Sequence, residues 1–92
     1  MPRAIPTLEG NLVLDGPYKE RTNAVQKCFG LASSLGYNVF AVQDGGQCFT
    51  SSSANVTYDT YGSSSECLSD GKGGPMANEV YMTKNIGTCL IA

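Results

Sequence analysis

Histidine is absent from this 92-residue chain, which removes every Ser-His, Cys-His and zinc-His site at once. Charge is scarce as well. Charged residues make up 15% of the sequence, and six Lys and Arg against eight Asp and Glu leave a net charge of -2. That is well below the usual quarter, and it leaves too little positive charge to neutralise a phosphate backbone, so nucleic acid is excluded as a partner. No apolar run approaches 18 residues, so nothing reads as a membrane span. No two cysteines form a CxxC pair, the spacing by which a tight turn presents two thiolates to one zinc ion. No alternating Asp/Asn loop of the EF-hand kind is present. Gly71-Lys72-Gly73-Gly74 lacks the full spacing and the following Ser or Thr of a phosphate loop. Neither metal nor cofactor is expected, and the length fits a single domain over residues 1–92.

What the chain does have is an even number of cysteines. Cys28, Cys48, Cys67 and Cys89 are separated by 20, 19 and 22 residues. A chain this short buries little of its own surface and is commonly stapled. Each bridge would close a loop of some twenty residues or more, contributing about 3 kcal/mol in the chain-entropy account. Two disulfides in a weakly charged chain rich in Ser, Thr and Gly point to an oxidising, extracellular compartment; four buried thiols in a reducing one are the alternative. No apolar signal-peptide core follows Met1-Pro2-Arg3-Ala4-Ile5-Pro6, so the compartment is read from the cysteines. Asn55-Val56-Thr57 is an N-glycosylation sequon, consistent with secretion. Four cysteines allow three pairings.

Along the chain, residues 1–9 read as a loose lead-in, with Pro2 and Pro6 opposing regular structure, and residues 10–92 as the stapled module. Asn11-Leu12-Val13-Leu14, closed by Asp15-Gly16-Pro17, reads as a first strand and turn. Thr22 or Asn23 can then cap a helix over about residues 23–35, whose apolar face would carry Val25, Cys28, Phe29, Ala32 and Leu35. Gly36 stands where a left-handed C-terminal cap is wanted. Tyr37 to Gln43 is almost continuously apolar and suits a central strand. Asp44-Gly45-Gly46 turns the chain so that Gln47 to Thr50 can return beside it. A short helix over 54–61 fits Ala54, Tyr58 and Tyr61, although Val56-Thr57-Tyr58 also suits a strand. Residues 63–77 read as loop, 79–83 as a strand and 88–91 as an edge strand or a stapled tail. The fold class is α+β, an antiparallel sheet against one main helix.

Cys28, Gly36-Tyr37, Phe40-Ala41-Val42-Gln43 and Gly45-Gly46-Gln47-Cys48 form the first part of a pattern. Tyr61-Gly62 with Ser64 and Cys67, then Gly71-Lys72-Gly73-Gly74-Pro75, Ala77-Asn78 and Val80-Tyr81 complete it. Over roughly 55 of the 92 residues this resembles a small cysteine module of marine invertebrate extracellular proteins, and more loosely WSC domains and the PAN/apple group. The resemblance implies a helix disulfide-bonded to a small curved sheet, and a binding role toward carbohydrate or protein. The chain departs from the WSC pattern by lacking a cysteine before the helix and carrying Cys89 instead. If Cys89 takes over that role, the resemblance implies Cys28–Cys89 and Cys48–Cys67.

Catalysis is not expected. Asp44, Asp59, Glu66, Asp70 and Glu79 are scattered beside Gly, Ser or Tyr, where turn and surface duty accounts for them, and no pair is spaced for acid–base work. Sugar binding needs an aromatic face for a pyranose ring and a few polar groups for its hydroxyls. Asp44, Gln47, Tyr58, Tyr61, Lys72 and Asn78 are the ligand-binding candidates, in the loops around the Cys48 turn and the glycine-rich segment. Each has an ordinary alternative: Tyr58 and Tyr61 as packing residues, Asp44 as support for its own turn, Asn78 as an internal clasp on the glycine loop. Gln43, inside an apolar strand, must find a partner if it is buried. The leading expectation is a secreted lectin-like module binding a glycan or glycoprotein, with a homo-oligomer supplying multivalency for a weak site. The alternative is an extracellular protein–protein or matrix adhesion module.

Overall fold

A computed structural model describes residues 4–9, 14, 16–82 and 85–92. Residues 11–13 of the proposed first strand and Asp15 of its turn fall outside them; Leu14 is described and buried, and Gly16 of the turn has left-handed backbone at φ 68°. After a 3-10 turn at Tyr18–Glu20 comes helix α1, Ala24–Ser34. Strands β1, Val39–Gln43, and β2, Gln47–Thr50, follow, then a four-residue helix α2, Ala54–Thr57. Strands β3, Ala77–Met82, and β4, Asn85–Ile91, complete the chain. The strands form one antiparallel sheet in the order β2-β1-β3-β4, so the fold is α+β with one main helix, as the sequence pattern predicts.

Local signals explain most of these elements. The end of α1 is a Schellman arrangement: Gly36, at φ 81°, donates its N–H to Ser33 O and Tyr37 donates to Ala32 O. The β1–β2 turn has left-handed backbone at Asp44 and Gly45, the geometry a tight hairpin requires. Asn23 occupies the N-cap of α1, but its backbone is left-handed and its side chain makes no capping bond.

The helix is rotated from its expected orientation. Ala24, Cys28, Leu31 and Ala32 form its buried face, whereas Phe29 and Leu35 are exposed. Spacing alone admits both faces, and the smaller Ala24 and Ala32 allow α1 to approach β1 and β2 closely.

Both sides of the sheet are covered. On one side α1 encloses Phe40, Val42 and Cys48. On the other, Val39, Ala41, Phe49, Val80 and Leu90 pack with Ala4, Ile5 and Ala54. The described part of the N-terminal segment is therefore anchored rather than loose. Ile5 has no solvent exposure, Thr50 N–H donates to Pro6 O, and Leu8 N–H donates to Cys48 O. These bonds also cover the β2 edge, while Ser64 N–H to Cys89 O and Ile91 N–H to Gly62 O cover part of the β4 edge. Strand edges left open invite pairing with other chains.

The disulfides join Cys28 to Cys48 and Cys67 to Cys89, correcting the Cys28–Cys89 and Cys48–Cys67 pairing that the resemblance implies. Strand register gives the reason. Cys48 pairs with Val42, Val42 with Glu79, and Glu79 with Cys89, so both strand cysteines lie in one row on one side of the sheet, at opposite edges. Three strand spacings separate them by roughly 14 Å. Cys28 and Cys67 have Cα atoms 5.4 and 6.0 Å from their own partners, which puts either crossed pairing beyond the roughly 7 Å that a disulfide spans.

Candidate functional site

The six residues expected at a loop site do not form one surface. Gln47 pairs with Gln43, and Gln43 with Asn78, so these three amides share one row across β2, β1 and β3. Asp44 and Lys72 approach the same end of the sheet: Gly45 N–H donates to Lys72 O at 3.4 Å, and Asp44 lies 3.6 Å from Lys19 Nζ. Lys72 N–H is held by Asp70 Oδ1. Gly73, at φ 69°, is pressed against the carbonyls of Val42 and Ala77, where a Cβ would not fit. Asn78 is buried beneath this loop and its Oδ1 has no hydrogen-bond partner, so it contributes nothing to the outer surface. Tyr58 and Tyr61 are half-buried against the core beside Ile5 and Leu90, which favours their packing role.

One cluster carries no local sequence signal. Arg21 is buried, with its guanidinium donating from Nη1 to Glu9 Oε2 (2.9 Å) and from Nη2 to Glu9 Oε1 (2.8 Å). The same group donates to the carbonyls of Gly46, Leu14 and Gly16. Glu9 Oε2 also accepts the N–H of Cys48. Burial alone would raise the Glu9 carboxyl, but Arg21 and the Cys48 N–H outweigh it and hold the pKa below the usual carboxylate value. The clamp fastens the N-terminal segment to the β1–β2 turn. Glu79, half-buried between Val42 and Cys89 in the disulfide row, is shifted the other way: desolvation, then the Asp70 charge, raises it.

An open aromatic cleft of about 280 Å³ lies between α1, the start of β1 and the end of β3, lined by Phe29, Ser33, Tyr37, Asn38, Phe40 and Met82. Phe40 stacks on Tyr81 with ring centroids 5.2 Å apart, and Phe29 tilts against Phe40 at 5.9 Å. Phe29 is 55% exposed, so the outer ring of this series faces solvent. The Tyr81 hydroxyl donates to Gly71 O and ties the glycine-rich loop to the stack; desolvation, then the charges of Glu79 and Asp70, raises its pKa. An amide, a hydroxyl and a phenol stand at the rim, at Asn38, Ser33 and Tyr37. Among the described residues, no carboxylate, lysine or arginine lines the cleft, and no group of three or more His, Cys, Asp or Glu is placed to hold a metal ion.

The cleft is not apparent in the sequence because Phe29 satisfies the helical spacing of a core residue. The usable signal was that Leu31 gives α1 a second apolar face that leaves Phe29 outside. No helix among the described residues is long and apolar enough to cross a membrane. The two disulfides are compatible with an extracellular location. In comparisons with known proteins, no family model, no curated protein and no solved structure matches this chain.

Proposed function

We propose that this chain is a secreted, non-catalytic carbohydrate-binding module of WSC- or apple-like character, and that it binds sugar in the cleft beside α1 rather than in the loops around Asp44 and Lys72. The observation that carries this reading is the exposed ring of Phe29, backed by Phe40 and Tyr81, next to Ser33, Tyr37 and Asn38. A pyranose presents an apolar C–H face to such a ring and hydroxyls to the amide and hydroxyl groups at its rim. Among the described residues the lining holds no charged side chain, which supports binding over acid–base chemistry. A shallow site of this size binds one sugar weakly, so a homo-oligomer would supply the needed avidity.

A glycan array probed with the oxidised, unglycosylated protein, alongside size-exclusion light scattering, tests the reading. The expected result is a hit competed by free sugar and lost in Phe29→Ala and Asn38→Ala. A blank array at high protein concentration contradicts it. A second reading, an extracellular protein-adhesion module, is favoured by the apolar end of the same cleft, where Val25 and Met82 flank Phe29 and Tyr81. A blank array together with Phe29-dependent capture of a defined protein ligand would select it.

A further inference from the structure

Asn55 lies on α2, exposed to solvent, with Val56 beside it strongly exposed and Thr57 completing the Asn-Val-Thr sequon. Ser53 at the N-cap makes no side-chain capping bond, and a helix of four residues has little stability of its own. The segment can therefore open to the extended form in which a transferase reads an acceptor asparagine. Asn55 is also a wall of a second cleft, lined by Tyr37, Asn38, Ser51 and Ser52. Tyr37 and Asn38 line both this cleft and the aromatic one, so the two adjoin at these residues, with Val39 and Phe40 turned to opposite sides of the sheet.

We infer that Asn55 is an N-glycosylation site whose first sugars lie along the Tyr37–Asn38 and Ser51–Ser52 cleft, and that the attached glycan covers Tyr37 where this cleft adjoins the aromatic one. This rests on the reading of the chain as a secreted module with its site beside α1. The co-reactant is an oligosaccharide carried on a lipid pyrophosphate. Asn55 Nδ2 forms a bond to the anomeric carbon and loses a proton, while the C–O bond to the pyrophosphate breaks with its electron pair leaving on the lipid pyrophosphate. The residues walling the cleft supply hydroxyls, an amide and a phenol ring, the groups that hold N-acetylhexosamine sugars against a surface. A bulky polar chain attached there is accommodated on the outside of the fold, because α2 contributes only Ala54 to the buried core.

The full chain is to be secreted from a eukaryotic cell, its mass measured before and after glycosidase treatment, and Tyr37 probed by covalent footprinting with Tyr18 as the internal reference. The inference predicts added mass that survives Thr57→Ser and disappears in Asn55→Gln and Thr57→Ala. It also predicts several-fold weaker labelling of Tyr37 in the glycosylated protein than in Asn55→Gln, with Tyr18 unchanged. Secreted protein without added mass overturns the inference, and so does glycosylated protein in which Tyr37 is labelled as in Asn55→Gln. Sugar binding by Asn55→Gln tests the aromatic cleft separately, since that variant leaves the cleft open whatever the fate of the glycan.

Discussion

The two disulfides end the same row of the sheet, yet they fasten different things. Cys28–Cys48 has both residues fully buried and joins α1 to β2 within the hydrophobic core. Cys67–Cys89 has both residues partly exposed and joins the loop before β3 to the β4 edge. Their sequence separations, 20 and 22 residues, make the loop-closure contribution nearly equal, about 3 kcal/mol each. What differs is the surrounding packing. The first bridge organises the half of the molecule that carries the cleft, whereas the second restrains a glycine-rich loop that the Tyr81 hydroxyl also holds.

That contrast can be broken most severely at its buried end. Cys28→Ala with Cys48→Ala should lose the entropic contribution and leave space in the core, costing about 4–5 kcal/mol in urea unfolding. Cys67→Ser with Cys89→Ser should cost about 3 kcal/mol or less, with faster hydrogen exchange confined to residues 64–76 and the amides of α1 still protected. Equal costs and equal spread of exchange would refute the distinction.

Arg21→Ala should fall between the two disulfide changes or close to the first, at about 3–5 kcal/mol, because it strands the Glu9 carboxylate and three carbonyls that now share one guanidinium. Arg21→Lys should recover only part of this, since an ammonium cannot reproduce the bidentate fork.

A smaller effect separates the clamp from the disulfide row. Glu9 has a lowered pKa, so its contribution is fully present above the ordinary carboxylate range and is lost as pH falls through the lowered value. Glu79 has a raised pKa, so its burial costs stability near neutrality and that cost is relieved as pH falls through the raised value. Stability should therefore rise slightly on mild acidification and fall on stronger acidification. Glu79→Gln should remove the rise and keep the fall, as thermal unfolding against pH would show.

The smallest change in stability should come from Phe29→Ala, below about 1 kcal/mol for one exposed aromatic contact. If it unfolds the protein, Phe29 belongs to the core and the cleft is no binding surface.

Local signals made much of this fold legible. Gly36 marked the end of α1, Asp44-Gly45 the hairpin turn, and the apolar run at Phe40-Ala41-Val42 a central strand. Disulfide pairing was not legible because it follows from the strand order, which places Cys48 and Cys89 at opposite edges although no residue near either one says so. The Glu9–Arg21 clamp joins two irregular segments that have no periodicity to read. Ile5 stands beside Pro6, in a stretch with no strand pattern, and is nonetheless fully buried. The proposed site was hidden for a related reason. Phe29 has the spacing of a core residue, and only the choice of Leu31 for the buried face of α1 leaves its ring exposed.

Amide chemical-shift mapping of the oxidised, unglycosylated protein, titrated with the strongest sugar from the array, tests the central claim most directly. The account predicts shifts concentrated at Phe29, Ser33, Tyr37 and Asn38, with Asp44, Gln47 and Lys72 unmoved. Shifts confined to the β1–β2 turn and the glycine-rich loop would contradict it and return the site to the loops.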